Sequence, residues 1–260
     1  MLIKKFILCL LVIFVSYSIV WALDVNWRTV KSTHFIAYYK NAPEDFIGRL
    51  IEKSEEYYNK IADDLGFRRY NFWLWDNRAK IYIYDNAKDY QTFTGQPSWS
   101  SGCAIIRDKI IHTFPYAKEF FDTVLPHEMG HLIFREFVGF NNNAVPVWLD
   151  EGVASYQENL RHPMANRRLR EAINTNRLID LEGLSGLSPH SIQNTELVNL
   201  FYAEAVSIID YLIKEFGKDN FVSFCQALRD KRDLERAIAS VYPFRNIQEL
   251  DQAWQKYIQK

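Results

Sequence analysis

The hydrophobic pattern changes period near Tyr116, and that change restricts the fold more than any other feature of the sequence. Before it, β-branched and aromatic residues alternate in short runs; after it, apolar residues recur every three or four positions to the C-terminus. Strands first and helices after specify an α+β chain rather than alternating βαβ units. Val25 to Tyr39 reads as one or two strands and Lys80 to Tyr84 as another. Cys103–Ile106 and Ile110–Phe114 read as a strand pair with Arg107, Asp108 and Lys109 at the hairpin tip. Between the first strands and the rest, Pro43 opens a helix that Gly66 stops.

Helices are predicted near 117–138, 149–160, 163–174, 194–216, 218–230, 232–240 and 246–259. The clearest is Leu197–Phe216, with Leu200, Phe201, Ala205, Ile208, Ile209 and Leu212 on one face. Asn141–Asn143 and Ser185–Pro189 read as loops. The 260 residues suit one substantial core, divided into a sheet lobe (about 23–115) and a helical lobe (about 116–260).

Residues 1–22 have the layout of a secretory signal peptide: Lys4 and Lys5, an apolar stretch from Phe6 to Val15, then Val20 and Ala22 at the −3 and −1 positions of a cleavage site. Apolar character continues through Ile19 to Leu23, so an uncleaved membrane anchor is the alternative. Both readings export the body of the protein to a periplasmic or extracellular location. Without Lys4 and Lys5 the chain has 29 basic against 32 acidic residues, and no basic stripe points to a nucleic-acid partner. Cys103 and Cys225 are left to pair as a disulfide or to stay as buried thiols.

His127-Glu128-Met129-Gly130-His131 is an H-E-x-x-H pattern inside a predicted helix. Residues four apart share a helix face, so His127 and His131 can reach one ion. Imidazole nitrogen suits zinc, and a catalytic zinc keeps three protein ligands and a water. Glu128 is placed to take that water's proton. Val124, Leu125, Leu132, Ile133 and Phe134 embed the motif in an apolar helix, and Pro126 either starts that helix or bends it.

Glu151 follows His131 after nineteen intervening residues, within Trp148-Leu149-Asp150-Glu151-Gly152-Val153-Ala154. H-E-x-x-H followed by W-L-x-E-G-x-A resembles the gluzincins, and especially the peptidase MA-like family of exported bacterial metallohydrolases. The resemblance implies a zincin-like fold: a mixed sheet with helices, a mainly helical C-terminal lobe, and the active-site helix between them. It implies one Zn2+ held by His127, His131 and Glu151, with Glu128 as general base. Asp150 competes for the ligand role; its alternative is to orient a ligand or cap the helix.

Phe201-Tyr202-Ala203-Glu204-Ala205-Val206-Ser207 is similar to the family's next helix. Gluzincins often use a Tyr or His there as an oxyanion donor, which makes Tyr202 the first candidate and His190 the second. The plain alternative for Tyr202 is a residue at the edge of the core. His34, His112 and His162 carry no motif. The resemblance also implies that an edge strand before the metal helix, Gly102–Ile106 or Ile110–Thr113, docks an extended peptide by strand addition. The function expected is an exported zinc metallopeptidase. The alternatives are a catalytically silent zinc-binding scaffold on the same fold and a hydrolase of a non-peptide amide.

Overall fold

Five strands form one mixed sheet in the computed structural model, which describes residues 27–98, 100–158 and 161–259. The signal-peptide or anchor reading of residues 1–22 lies outside the described residues. β1 (Arg28–Lys31), β2 (Phe35–Tyr39), β3 (Ala79–Ile83), β4 (Gly102–Ile105) and β5 (Ile110–Thr113) lie in the order β1-β2-β3-β5-β4. β2, β3 and β5 are parallel, and the outer two strands run against them. A single row of register crosses the sheet at one end: Arg28, Tyr39, Ile83, Thr113 and Gly102.

Alternation along the strands builds two different faces. Phe35, Ala37, Ala79, Ile81, Ile83 and Ile111 are buried in the core. On the other face Tyr38 and Tyr82 stack with centroids 4.7 Å apart, and His112 stacks on Tyr82 at 5.6 Å. His112 also bonds Tyr84 at 3.0 Å, and burial pushes its imidazole down to about 4, so it stays neutral. α1 (Glu44–Asp64) brings Phe46, Leu50, Tyr57 and Ile61 to the core. His34 stacks on Tyr58 and pairs with Glu55 at 2.6 Å, and among the described residues neither His34 nor His112 joins a group of converging metal-ligating side chains.

α2 (Ala87–Thr94) was not expected from the sequence. Its one buried residue, Tyr90, gives no period to read, and local chemistry makes it: Asn86 accepts the Asp89 N–H, and Gly95 ends it in the left-handed region. The helix expected over 117–138 is two pieces. A π-helical turn, Phe120–Val124, has the Thr123 and Val124 N–H groups both donating to the Glu119 carbonyl; α3 (Leu125–Val138) follows. Pro126 stands at the junction, in the first turn of α3, where its missing N–H costs nothing.

α4 (Val147–Tyr156) and α5 (Arg161–Asn174) come next, and then α6 (Leu181–Gly186), capped by Asp180 through the Gly183 N–H. α6 occupies ground expected to be irregular before Ser185 and part of the expected loop beyond it. α7 (Thr195–Phe216), α8 (Lys218–Lys231), α9 (Leu234–Val241) and α10 (Ile247–Ile258) complete the chain and fall within about two residues of the expected spans. The buried hydrophobic residues of sheet and helices form one contiguous cluster. The architecture is α+β, with a mostly helical C-terminal part. Among the described residues no helix is long and apolar enough to cross a membrane. Cys103 on β4 and Cys225 on α8 are free thiols, which settles the disulfide question in favour of two unpaired cysteines.

Candidate metal centre

α3 is buried on nearly every side, so its two histidines enter a dry environment. Gly130, between them on the helix, is the reason α4 can approach. A Cβ at that position would stand 2.9 Å from the Ala154 Cα. Gly152 does the same on the far side of α4, where a Cβ would meet the Ala205 carbonyl oxygen of α7 at 2.6 Å. Two glycines therefore set the spacing of three helices, and that spacing fixes where Glu151 ends up.

His127, His131 and Glu151 converge. The two Nε2 atoms are 3.2 Å apart, and the Glu151 Oε2 lies 3.6 Å from His127 Nε2 and 3.8 Å from His131 Nε2. A small divalent ion bound tetrahedrally at about 2.1 Å from its ligands sets them about 3.4 Å apart, so the triangle has the right size. The Glu151 Oε2 is buried with no hydrogen-bond partner. A buried carboxylate oxygen left in that state is costly unless a cation meets it.

The opposite ring nitrogens are fixed by carboxylates. His127 Nδ1 lies 2.7 Å from Glu158 Oε1, and His131 Nδ1 lies 3.0 Å from Asp150 Oδ1. With each Nδ1–H donated outward, loss of the second proton from each ring leaves an Nε2 lone pair pointing into the triangle, the tautomer a metal requires. Asp150 is itself held by Arg135, whose Nε and Nη2 lie 2.8 and 2.7 Å from its Oδ2. Asp150 thus orients His131 and does not join the converging triad.

The electrostatics follow from burial and close opposite charges. Burial works against a charged His127, but the Glu151 and Glu158 carboxylates outweigh it and hold its proton up to about 10. Burial likewise opposes His131, and Asp150 overcomes it and raises that imidazole. Glu151 is lowered by the two imidazoles despite its burial. Glu128 goes the other way: burial raises it above the usual carboxylate range, against the pull of His127, His131 and the Ala104 N–H that it accepts. An ion entering here displaces imidazole protons, so its affinity rises with pH.

Glu128 therefore sits between the metal helix and the main chain of β4. β4 is the edge strand, with β5 as its strand partner among the described residues. Tyr202 lies on α7 and lines a cavity of about 290 Å3 with Met164, Arg168 and Asn199. His190 belongs to a 3₁₀ turn, Pro189–Ser191; its side chain and that of His162 lie outside the described residues.

The sequence reading missed Glu158. Seven positions beyond Glu151 is two helical turns, but α4 ends at Tyr156 and no motif surrounds Glu158, so periodicity alone does not reach it.

Residues 72–260 match the family model of the Peptidase MA superfamily. The chain belongs to that superfamily. Peptidase MA membership brings a metallopeptidase-like function at the coarse level, and the converging His127, His131 and Glu151 supply a candidate metal site to go with it. No curated protein sequence matches the chain.

Proposed function

We propose that this Peptidase MA protein is an exported zinc metallopeptidase, a single catalytic domain of gluzincin type that hydrolyses peptide bonds. One observation carries the reading: two imidazole Nε2 atoms and a buried Glu151 Oε2 that makes no hydrogen bond stand at the corners of a triangle sized for one small ion. His127, His131 and Glu151 would hold it, and nitrogen-rich donor sets of this kind favour zinc. Zinc, when bound, supplies Lewis-acid polarisation of a carbonyl and acidifies water.

The remaining work falls to the chain's own residues. Glu128 takes a proton from the attacking water at its carboxylate and delivers it to the departing amine. A base and acid of this kind works best when its pKa lies near the working pH, and burial moves Glu128 in that direction. Glu158 and Asp150 keep the imidazoles aligned through their Nδ1 atoms. β4 is the edge strand to which an extended peptide would add. Tyr202 on α7 is the proposed oxyanion donor, with His190 as the second candidate.

The test is metal content by elemental mass spectrometry on wild type and Glu151→Ala, followed by hydrolysis of a peptide library by wild type and Glu128→Gln. The reading expects one zinc per chain, weakened in Glu151→Ala. It expects Glu128→Gln to keep zinc and lose about 10²–10⁴ in rate. Folded wild type that takes up no zinc would end the metallohydrolase reading; zinc without turnover on any peptide would leave the silent scaffold or the non-peptide amide.

A further inference from the structure

The register row Arg28, Tyr39, Ile83, Thr113 and Gly102 marks the end of the sheet at which the chain enters the fold. Trp27 packs there edge-on against Tyr82 and Tyr84, with centroids 5.4 and 5.9 Å away, and the Lys40 ammonium lies 5.2 Å from its ring. Phe93, on α2 just beyond β3, and Tyr116, just beyond β5, belong to the same end. They are 64% and 76% exposed. Tyr84 lies 5.2 Å from Phe93 and so joins it to Trp27. Tyr116 stands 6.2 Å from Phe46 at the start of α1. Single exposed aromatics are ordinary. These are gathered by topology where the N-terminal segment meets the fold; exposed Trp75, in the turn before β3, lies at the opposite end.

The apolar sequence ends at Leu23, four residues before Trp27. Four extended residues span at most about 14 Å. A bilayer holding Phe6–Leu23 would therefore lie within that distance of Trp27, Phe93 and Tyr116. Tryptophan and tyrosine favour the membrane–water boundary because the ring is apolar while its N–H or O–H stays wet. Charges of both signs surround this rim, with Arg28, Lys40, Lys88 and Lys118 against Glu44, Asp85, Asp89 and Glu119. Attachment would then depend on aromatic burial and change little with salt.

We propose that this end of the sheet, with Trp27, Phe93 and Tyr116, rests in the interfacial layer of a lipid bilayer, held there by the apolar segment before it. The start of α3 is at the same end, since Gly102 packs against Val124 and Phe120 of the turn that leads into it. The metal centre is thereby presented near the membrane. If the hydrolase reading is right, its substrates are segments emerging from or lying along the bilayer; the contact itself does not rest on that reading.

The test is hydroxyl-radical footprinting of the full chain reconstituted in phosphatidylcholine–phosphatidylglycerol vesicles, each residue normalised to its rate in the urea-unfolded chain. Phe93 and Tyr116 are expected to oxidise about fivefold more slowly than Trp75, because interfacial burial removes most of their exposed area. Protection unchanged in 0.5 M salt, where the screening length falls to about 4 Å, supports aromatic attachment. Equal normalised rates at both ends overturn the proposal, as does a mature mass beginning at residue 23 in protein recovered from an exporting host. Zinc content of the same sample reports on the hydrolase reading separately.

Discussion

His127 Nδ1 and Glu158 Oε1 lie 2.7 Å apart, and the Glu158 side chain is only 2% exposed. A carboxylate so placed fixes the ring's tautomer and tilt and raises its basicity toward a metal. Glu158→Ala is therefore expected to weaken zinc binding by about 10- to 100-fold, while Glu158→Gln, which keeps an acceptor oxygen, loses less. Competition with a chromophoric chelator measures both. An alanine variant within twofold of wild type would show that the contact is incidental.

Gly130 admits the backbone of α4, with Ala154 Cα 2.9 Å from where a Cβ would be. Gly130→Ala meets the α4 backbone before the Gln157 side chain, and backbone cannot be pushed aside, so α3 and α4 must separate. The expected cost is roughly 1–3 kcal/mol of stability. The same separation carries Glu151 away from the histidines, so the stabilisation gained on adding zinc should shrink as well. Urea unfolding with and without a chelator reads both quantities; a variant with undiminished zinc stabilisation would refute the shared cause.

Glu204 on α7 is fully buried, with Oε1 accepting the Ile179 N–H at 3.0 Å and Oε2 without a partner. Burial raises it to about 8, the Ile179 N–H opposes, and Asp251 and Asp180 add to the rise. The unfolded chain releases this proton near 4.5, the folded protein only near 8. The stability tied to it is complete below 4.5 and is lost as pH rises through 8, on the order of 5 kcal/mol across the window. Glu204→Gln should flatten that slope and raise the melting temperature at pH 8.5 but not at pH 4. Parallel melting curves for the two proteins across this range would count against it.

Glu55 titrates in the opposite sense. Burial pushes its carboxyl up, but hydrogen bonds from the His34 ring and the His34 main-chain N–H prevail and hold it down to about 2. Its contribution is present above the unfolded value of 4.5 and is lost as pH falls toward 2. Glu55→Gln should unfold over a narrower acid window, with little change near neutrality beyond the lost ion pair. Acid titration followed by far-ultraviolet circular dichroism checks this.

Strand and helix periods were legible because the buried residues of β2, β3 and α7 repeat at two and about 3.6 positions. The short helices were not. α2 buries Tyr90 alone and α6 buries Leu181 and Leu184, so their signals were the caps Asn86 and Asp180, which also occur in plain turns. The converging triad was legible through spacing on one helix and a family pattern on the next. Its supports were less so. Asp150 was a ligand rival until Arg135 and His131 were seen to hold it, and Glu158 lies in a stretch with no motif.

The imidazoles, the converging carboxylate and the carboxylates that steady them all lie between His127 and Glu158. The groups proposed to hold and steady an ion are thus written in one contiguous paragraph of the gene, while the sheet, the cavity beside Tyr202 and the aromatic end of the fold are written elsewhere. Inheritance can therefore revise what the protein meets, and where, without rewriting how it grips a metal.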